Sequence, residues 1–130
     1  MVSLYYSGEN LVTLSLLQPK DKKVMQHTLF VRREVSHLFE RGKDLEVRTR
    51  NHYALQIRAG DTIVLGWGIQ RTVVAIRCYP DFDSMLLKEE VKRIYPGSDR
   101  KSLLQVLRMI YPANKERLGV LVFELAPERR

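Results

Sequence analysis

The sequence predicts an α+β fold, a mixed β-barrel with flanking helices. Three observations carry that expectation. Leu45, Val47 and Thr49 alternate with Glu46, Arg48 and Arg50, the period of a strand with one buried and one charged face. Gly119 to Leu125 is nearly continuous apolar sequence, as expected of a strand buried at the centre of a sheet or barrel. Helical spacings fall between the strands with no βαβ regularity, which favours a mixed barrel over a doubly wound sheet.

Size and composition set the frame. A chain of 130 residues has room for one domain. We read residues 1–24 as an N-terminal extension or hairpin arm and residues 25–130 as the domain itself. Within the arm, Leu4, Tyr5 and Tyr6 precede a turn-like Ser7-Gly8-Glu9-Asn10, and Leu11 to Leu17 form an apolar segment broken by Pro19. Asp21-Lys22-Lys23 is a solvated connector. Cys78 is the single cysteine, so an internal disulfide is excluded, and its apolar surroundings suit a buried thiol in a reducing compartment. The start of the chain has no basic stretch followed by an apolar one, and no run approaches the ~20 apolar residues of a membrane span. A cytoplasmic protein without membrane contact is expected. The formal charge of +7, from 22 Lys plus Arg against 15 acids, favours polyanions or serves solubility alone.

The remaining elements follow in order. His27 to Val31 is a short strand candidate. Arg33 to Arg41 carries Val35, Leu38 and Phe39 at helical spacing and stops at Gly42. Arg58-Ala59-Gly60-Asp61 is a turn in which glycine takes a positive φ and aspartate bonds backbone amides. Gly66-Trp67-Gly68 turns the chain again between the strands Thr62 to Leu65 and Thr72 to Tyr79. Asp81 caps a helix burying Phe82, Met85 and Leu86. After Pro96-Gly97, Ser98 is the expected cap of a last helix, closed by Pro112, whose Leu103, Leu104, Leu107, Ile110 and Tyr111 face the core while Arg100, Lys101 and Arg108 look outward.

Charge concentrates in Gly42-Lys43-Asp44-Leu45-Glu46-Val47-Arg48. An ammonium supplies a point charge for phosphate, a guanidinium supplies a planar fork for phosphate or a base edge, and Glu46 can orient either cation. The same alternation also describes a solvated strand face with weak ion pairs. Arg50 continues the charged face. His52, in the loop Asn51-His52-Tyr53, could stack on or bond a base, or be part of an ordinary polar loop. Trp67 is either an exposed stacking residue or the plug of a barrel end. His27, His37 and His52 lack metal-site spacing and no second cysteine exists, so neither metal nor cofactor is expected. Tyr79, Phe82 and Tyr111 read as core aromatics, and Lys115 and Arg117 could extend a basic surface.

Five pieces in order resemble the ASCH family. They are His27-x-Leu29-x-Val31, Gly42-Lys43-x-x-Glu46-x-Arg48, Ile57-x-x-Gly60-Asp61-x-Ile63, Ala75-Ile76-x-x-Tyr79-x-x-Phe82-x-x-Met85-Leu86 and Gly119-Val120-x-Val122-Phe123-Glu124-Leu125. The resemblance spans roughly residues 27–126. It implies a PUA-like β-barrel and binding of RNA or a modified nucleoside in a cleft lined by the Lys-x-x-Glu-x-Arg strand. Two departures stand out. The family commonly has one residue between the glycine and the lysine, and here Gly42 directly precedes Lys43. N4-acetylcytidine amidohydrolases of the superfamily carry a threonine nucleophile where this chain has Glu46, so that hydrolysis is not expected by the same route.

The leading expectation is a binding module for RNA or a nucleotide, using Lys43, Glu46 and Arg48, with Arg50, His52 and Trp67 as further ligand-binding candidates. An alternative is a hydrolase, a ribonuclease or modified-cytidine amidohydrolase, with Glu46 as general base and Lys43 stabilising negative charge. A third reading is a protein interaction module acting through the N-terminal arm.

Overall fold

The computed structural model describes residues 2–7, 10–16 and 24–128. Of the sequence expectations, Gly8, Glu9, Leu17, Pro19 and the connector Asp21-Lys22-Lys23 lie outside these residues. The described part is an α+β fold consistent with a PUA-like barrel, a curled mixed sheet with short helices on its outside. Strands β1 (Val2–Ser7) and β2 (Asn10–Leu16) pair antiparallel, and β1 runs parallel to β6 (Ile69–Tyr79) at Tyr5 to Ser7. The other strands are β3 (Gln26–Thr28), β4 (Leu45–Thr49), β5 (Thr62–Gly66) and β7 (Val120–Leu125).

The eleven-residue β6 makes the sheet curl. Its first half pairs with β5, its second half with β1, and from Val73 onward its other edge pairs with β7. β5 in turn pairs with β3 in parallel, and β7 carries β4 antiparallel on its far edge. β7 is therefore a wall between two cores, which accounts for its apolarity on both faces. Leu121, Phe123 and Leu125 join Leu29, Val31, Ile63, Leu65 and Ile76 inside the barrel. Val120 and Val122 join Leu45, Val47, Phe82, Met85, Leu103 and Leu107 in a second core, beneath the helices.

Local chemistry sets the helix ends. α1 (Arg33–Ser36) tightens into a 3₁₀ turn (His37–Arg41) that ends at Gly42, whose φ of 107° reverses the chain. Asp81 caps α2 (Phe82–Lys88), accepting from the Ser84 amide at 2.7 Å. The last long helix, α4 (Arg100–Ile110), follows a single turn, α3 (Val91–Ile94). Its cap corrects the sequence reading. Asp99, not Ser98, accepts from the Ser102 amide at 2.8 Å, where a carboxylate also complements the positive end of the helix. Leu103 and Leu107 are buried on α4, but Ile110 is exposed because the helix runs out beyond the core. A further turn, α5 (Ala113–Glu116), leads into β7.

The turn at Gly60-Asp61 is built as its residue types require. Gly60 has φ 95°, its amide donates to Val73 O at 2.8 Å, and the buried Asp61 carboxylate accepts from the amides of Met25 and Arg58 and pairs with His27 Nε2 at 2.9 Å. This joins β3 to the β5 entrance. Gly60→Val is expected to lower stability by about 1–3 kcal/mol, the strain of a β-branched residue at positive φ. An unchanged melting temperature would contradict it.

Candidate functional site

β4 is paired on one edge only, and its other edge faces a cleft of about 190 Å³. Lys43, Glu46 and Arg48 all line this cleft. The solvated strand face allowed by the sequence is not what forms. Glu46 and Arg48 project to the barrel side of β4, opposite Phe123 and Leu121 of β7, and Glu46 is 6% exposed. The segment 29–32 and helix α4 cover what alternation alone would leave wet.

The missing residue between Gly42 and Lys43 does not misdirect the lysine. The Lys43 amide bonds Leu38 O, and the buried side chain crosses the Phe39 ring, its Nζ 5.6 Å from the centroid. Its three donors meet three acceptors: Leu45 O at 2.6 Å, Ile94 O at 2.8 Å and Glu46 Oε1 at 3.1 Å. Arg48 grips the other carboxylate oxygen, with Nε and Nη2 at 3.0 and 2.7 Å from Glu46 Oε2. Nη2 also donates to Leu29 O and Phe30 O, which ties β4 to the segment that follows β3, where the expected strand His27 to Val31 has already ended at Thr28.

Burial alone would raise the pKa of Glu46. The charges of Lys43 and Arg48, and the hydrogen bonds both donate, outweigh it and hold the carboxyl below the usual carboxylate range. The site thus contains a desolvated but ionised carboxylate. Its geometry uses three of about four lone-pair directions, and Nη1 of Arg48 makes no hydrogen bond among the described residues.

The walls are apolar: Phe30 and Val31 on one side, Val106, Ile110 and Tyr111 on the other. Burial pushes the Tyr111 hydroxyl up, so it remains a neutral donor, 3.5 Å from Val47 O on the free edge of β4. Tyr111 packs against the second core, its ring 5.9 Å from that of Phe82, and also lines this cleft. Phe30 adds an aromatic wall outside the charged motif, and its signal is alternation, which buries Leu29 and Val31 and turns Phe30 outward, 68% exposed. Arg50 and His52 are exposed and lie outside the cleft, Arg50 against Gly119. Trp67 does not plug the barrel. It is 59% exposed and rims a broader cavity of about 1,040 Å³ that meets the cleft at Lys43.

A second polar cluster has a structural role. Arg77 on β6 bonds both Glu89 and Glu124 at 2.6 Å, and the Tyr79 hydroxyl donates to Glu89. Burial and the Glu89 carboxylate hold that phenol protonated. Among the described residues no group of three His, Cys, Asp or Glu side chains converges as a metal site, and no helix is long and apolar enough to cross a membrane.

No protein-family model matches the chain, and the search of curated proteins finds no match either. Solved structures do match. The chain is similar to the crystal structure of hypothetical protein PH0355, at 28% identity and a TM-score of 0.73, over 81% of this chain and all of that one. It is also similar to the solution structure of protein PF0455 from Pyrococcus furiosus, at 30% identity and a TM-score of 0.67, over 82% of this chain and all of that one. The chain belongs to the family of PF0455. Both relatives are covered end to end, and the fold they share with this chain is the curled sheet described above.

Proposed function

We propose that this chain is an ASCH-type binding module for RNA or a modified nucleotide, acting through the Lys43-Glu46-Arg48 cleft. The observation that carries the reading is the ionised Glu46 carboxylate, buried between two cations at the floor of an apolar-walled cleft. Apolar walls and an aromatic rim suit a flat base. A free acceptor position on Glu46 and free donors on Arg48 Nη1 suit the mixed donor and acceptor edge that bases present. The motif order that resembles ASCH proteins and a fold consistent with a PUA-like barrel support the same reading.

The geometry divides the roles. Lys43 has no donor left for phosphate, so it acts as a positioning residue that holds Glu46 ionised. Arg48 and Glu46 are the recognition pair. The hydrolase reading is weaker on the same grounds, because a carboxylate held below its usual pKa between two cations is a poor general base.

Arg48→Lys keeps the charge and removes the fork. It is expected to weaken binding by about 1–3 kcal/mol, and Arg48→Ala by at least as much. Titrations of short single-stranded RNAs and mononucleotides at two salt concentrations, well below the melting temperature of each variant, check it. Equal affinities for wild type and both variants would remove Arg48 from recognition, and no binding by wild type at low salt would end the module reading.

A further inference from the structure

Trp67 and Gly68 form the two-residue loop of the β5–β6 hairpin, which requires positive φ at both positions and favours asparagine or glycine where this chain places a large aromatic. Trp67 has φ 56°, a left-handed backbone that side chains rarely adopt, between Gly66 at 84° and Gly68 at 75°. Three successive residues at positive φ lift the indole out of the β5–β6 turn and leave it mostly in water. Its Nε1 donates to Val31 O at 2.9 Å, which fixes the ring beside the segment that carries Phe30. Phe30 approaches the same turn, its Cδ1 lying 3.1 Å from where a Cβ on Gly66 would stand. Two exposed aromatics thus share the ground between the narrow cleft and the broad cavity.

Two arginines adjoin them. The Arg33 guanidinium lies 5.9 Å from the centroid of the indole, and neither Arg32 nor Arg33 has a carboxylate partner among the described residues. Arg32 lines the cleft and Arg33 the broad cavity. Of the three acids lining that cavity, Asp44 is taken by Arg93, Glu128 lies 3.9 Å from Arg71, and Glu40 has no cationic partner among the described residues.

From this arrangement we infer a second subsite: Trp67 and Phe30, with Arg32 and Arg33, form a ledge on which a single-stranded oligonucleotide lays bases and phosphates adjoining the base held in the cleft. This deepens the proposed function and rests on it for the cleft. Stacking platforms interleaved with arginines accept flat bases of any identity while the cations follow the backbone. The ligand class is therefore an oligonucleotide longer than the cleft can hold, rather than a free nucleoside.

Trp67 is the one tryptophan of the sequence, so emission excited beyond the tyrosine absorption band reports on this ledge. The test titrates rA4, rC4 and rU4, and AMP, CMP and UMP, by calorimetry and by tryptophan emission. A tetramer is expected to bind roughly tenfold tighter than its mononucleotide and to quench Trp67, which the mononucleotide leaves bright. Trp67→Gly, which fits the positive φ, should remove that tenfold advantage and leave mononucleotide binding unchanged, and Trp67→Phe should restore most of it. Equal affinities of tetramer and mononucleotide with unmoved emission would overturn the ledge and leave the cleft standing. Quenching of wild type by the tetramer that Arg48→Ala leaves intact, with tetramer affinity by calorimetry lost in Trp67→Gly and kept in Arg48→Ala, would keep the ledge and overturn the cleft. Failure of all six to bind would overturn both, and emission that changes with protein concentration alone would assign the ledge to a contact between copies instead.

Discussion

Phe123→Ala is expected to lower the free energy of unfolding by about 3–5 kcal/mol, the cost of removing a fully buried aromatic and leaving a cavity that its surroundings only partly refill. Phe123 has no exposed surface. It sits in the middle of β7, opposite Glu46 of β4 and Ile76 of β6, so two neighbouring strands hold its backbone in place and prevent collapse around the void. Urea unfolding should show a lower midpoint with little change in slope, because the folded and unfolded surfaces stay nearly the same. A loss below ~1 kcal/mol would mean that β7 is not the wall between the two cores. Because the Phe123 side chain faces the barrel interior, shared with Leu29 and Val31, ligand affinity measured well below the melting temperature should change less than stability does.

Breaking the buried pair is the other large expectation. Glu46→Ala leaves Lys43, 6% exposed, without its counter-charge, and loss of one partner of a buried pair costs about 3–5 kcal/mol. Glu46→Gln keeps the shape and part of the hydrogen bonding, so it should cost less while still removing the charge. The contribution also depends on pH. The carboxyl of folded Glu46 has a pKa below that of the unfolded chain, so the unfolded state takes the proton first on acidification. Its stabilisation is complete above the unfolded value, about 4.3, and disappears as pH falls through the lower folded value. The stability gap between wild type and Glu46→Gln is therefore widest near neutrality and should narrow below about pH 4. A gap independent of pH from 7 to 3 would show that Glu46 is not held ionised by its neighbours.

Several features of the fold were legible because they are local. Gly42 stops a helix and Asp81 starts one through conformations and hydrogen bonds that reach no further than three or four residues. The two-sided apolarity of Leu121 to Leu125 announced a strand covered on both faces, as β7 is. Alternation in β4 correctly grouped Glu46 with Arg48 on one face, and the charged motif they form with Lys43 proved to line a single cleft.

What alternation could not say was whether that face is wet. Burial of Glu46 depends on Phe30 and Val31 and on α4, and the bonds that define the site run from Arg48 to Leu29 and Phe30, 19 and 18 residues away, and from Lys43 to Ile94, 51 residues away. Arg50 and His52 follow Arg48 closely in sequence and still fall outside the cleft, because the chain leaves β4 after Thr49. Periodicity assigns a residue to a face of its own element, whereas the partner opposite that face is chosen by the packing of distant elements. Sequence alone determined the main strands, the helix stop at Gly42, the helix start at Asp81 and the charged motif. Only the tertiary structure decided that its carboxylate would be desolvated, held ionised by a lysine and an arginine, and set between apolar walls.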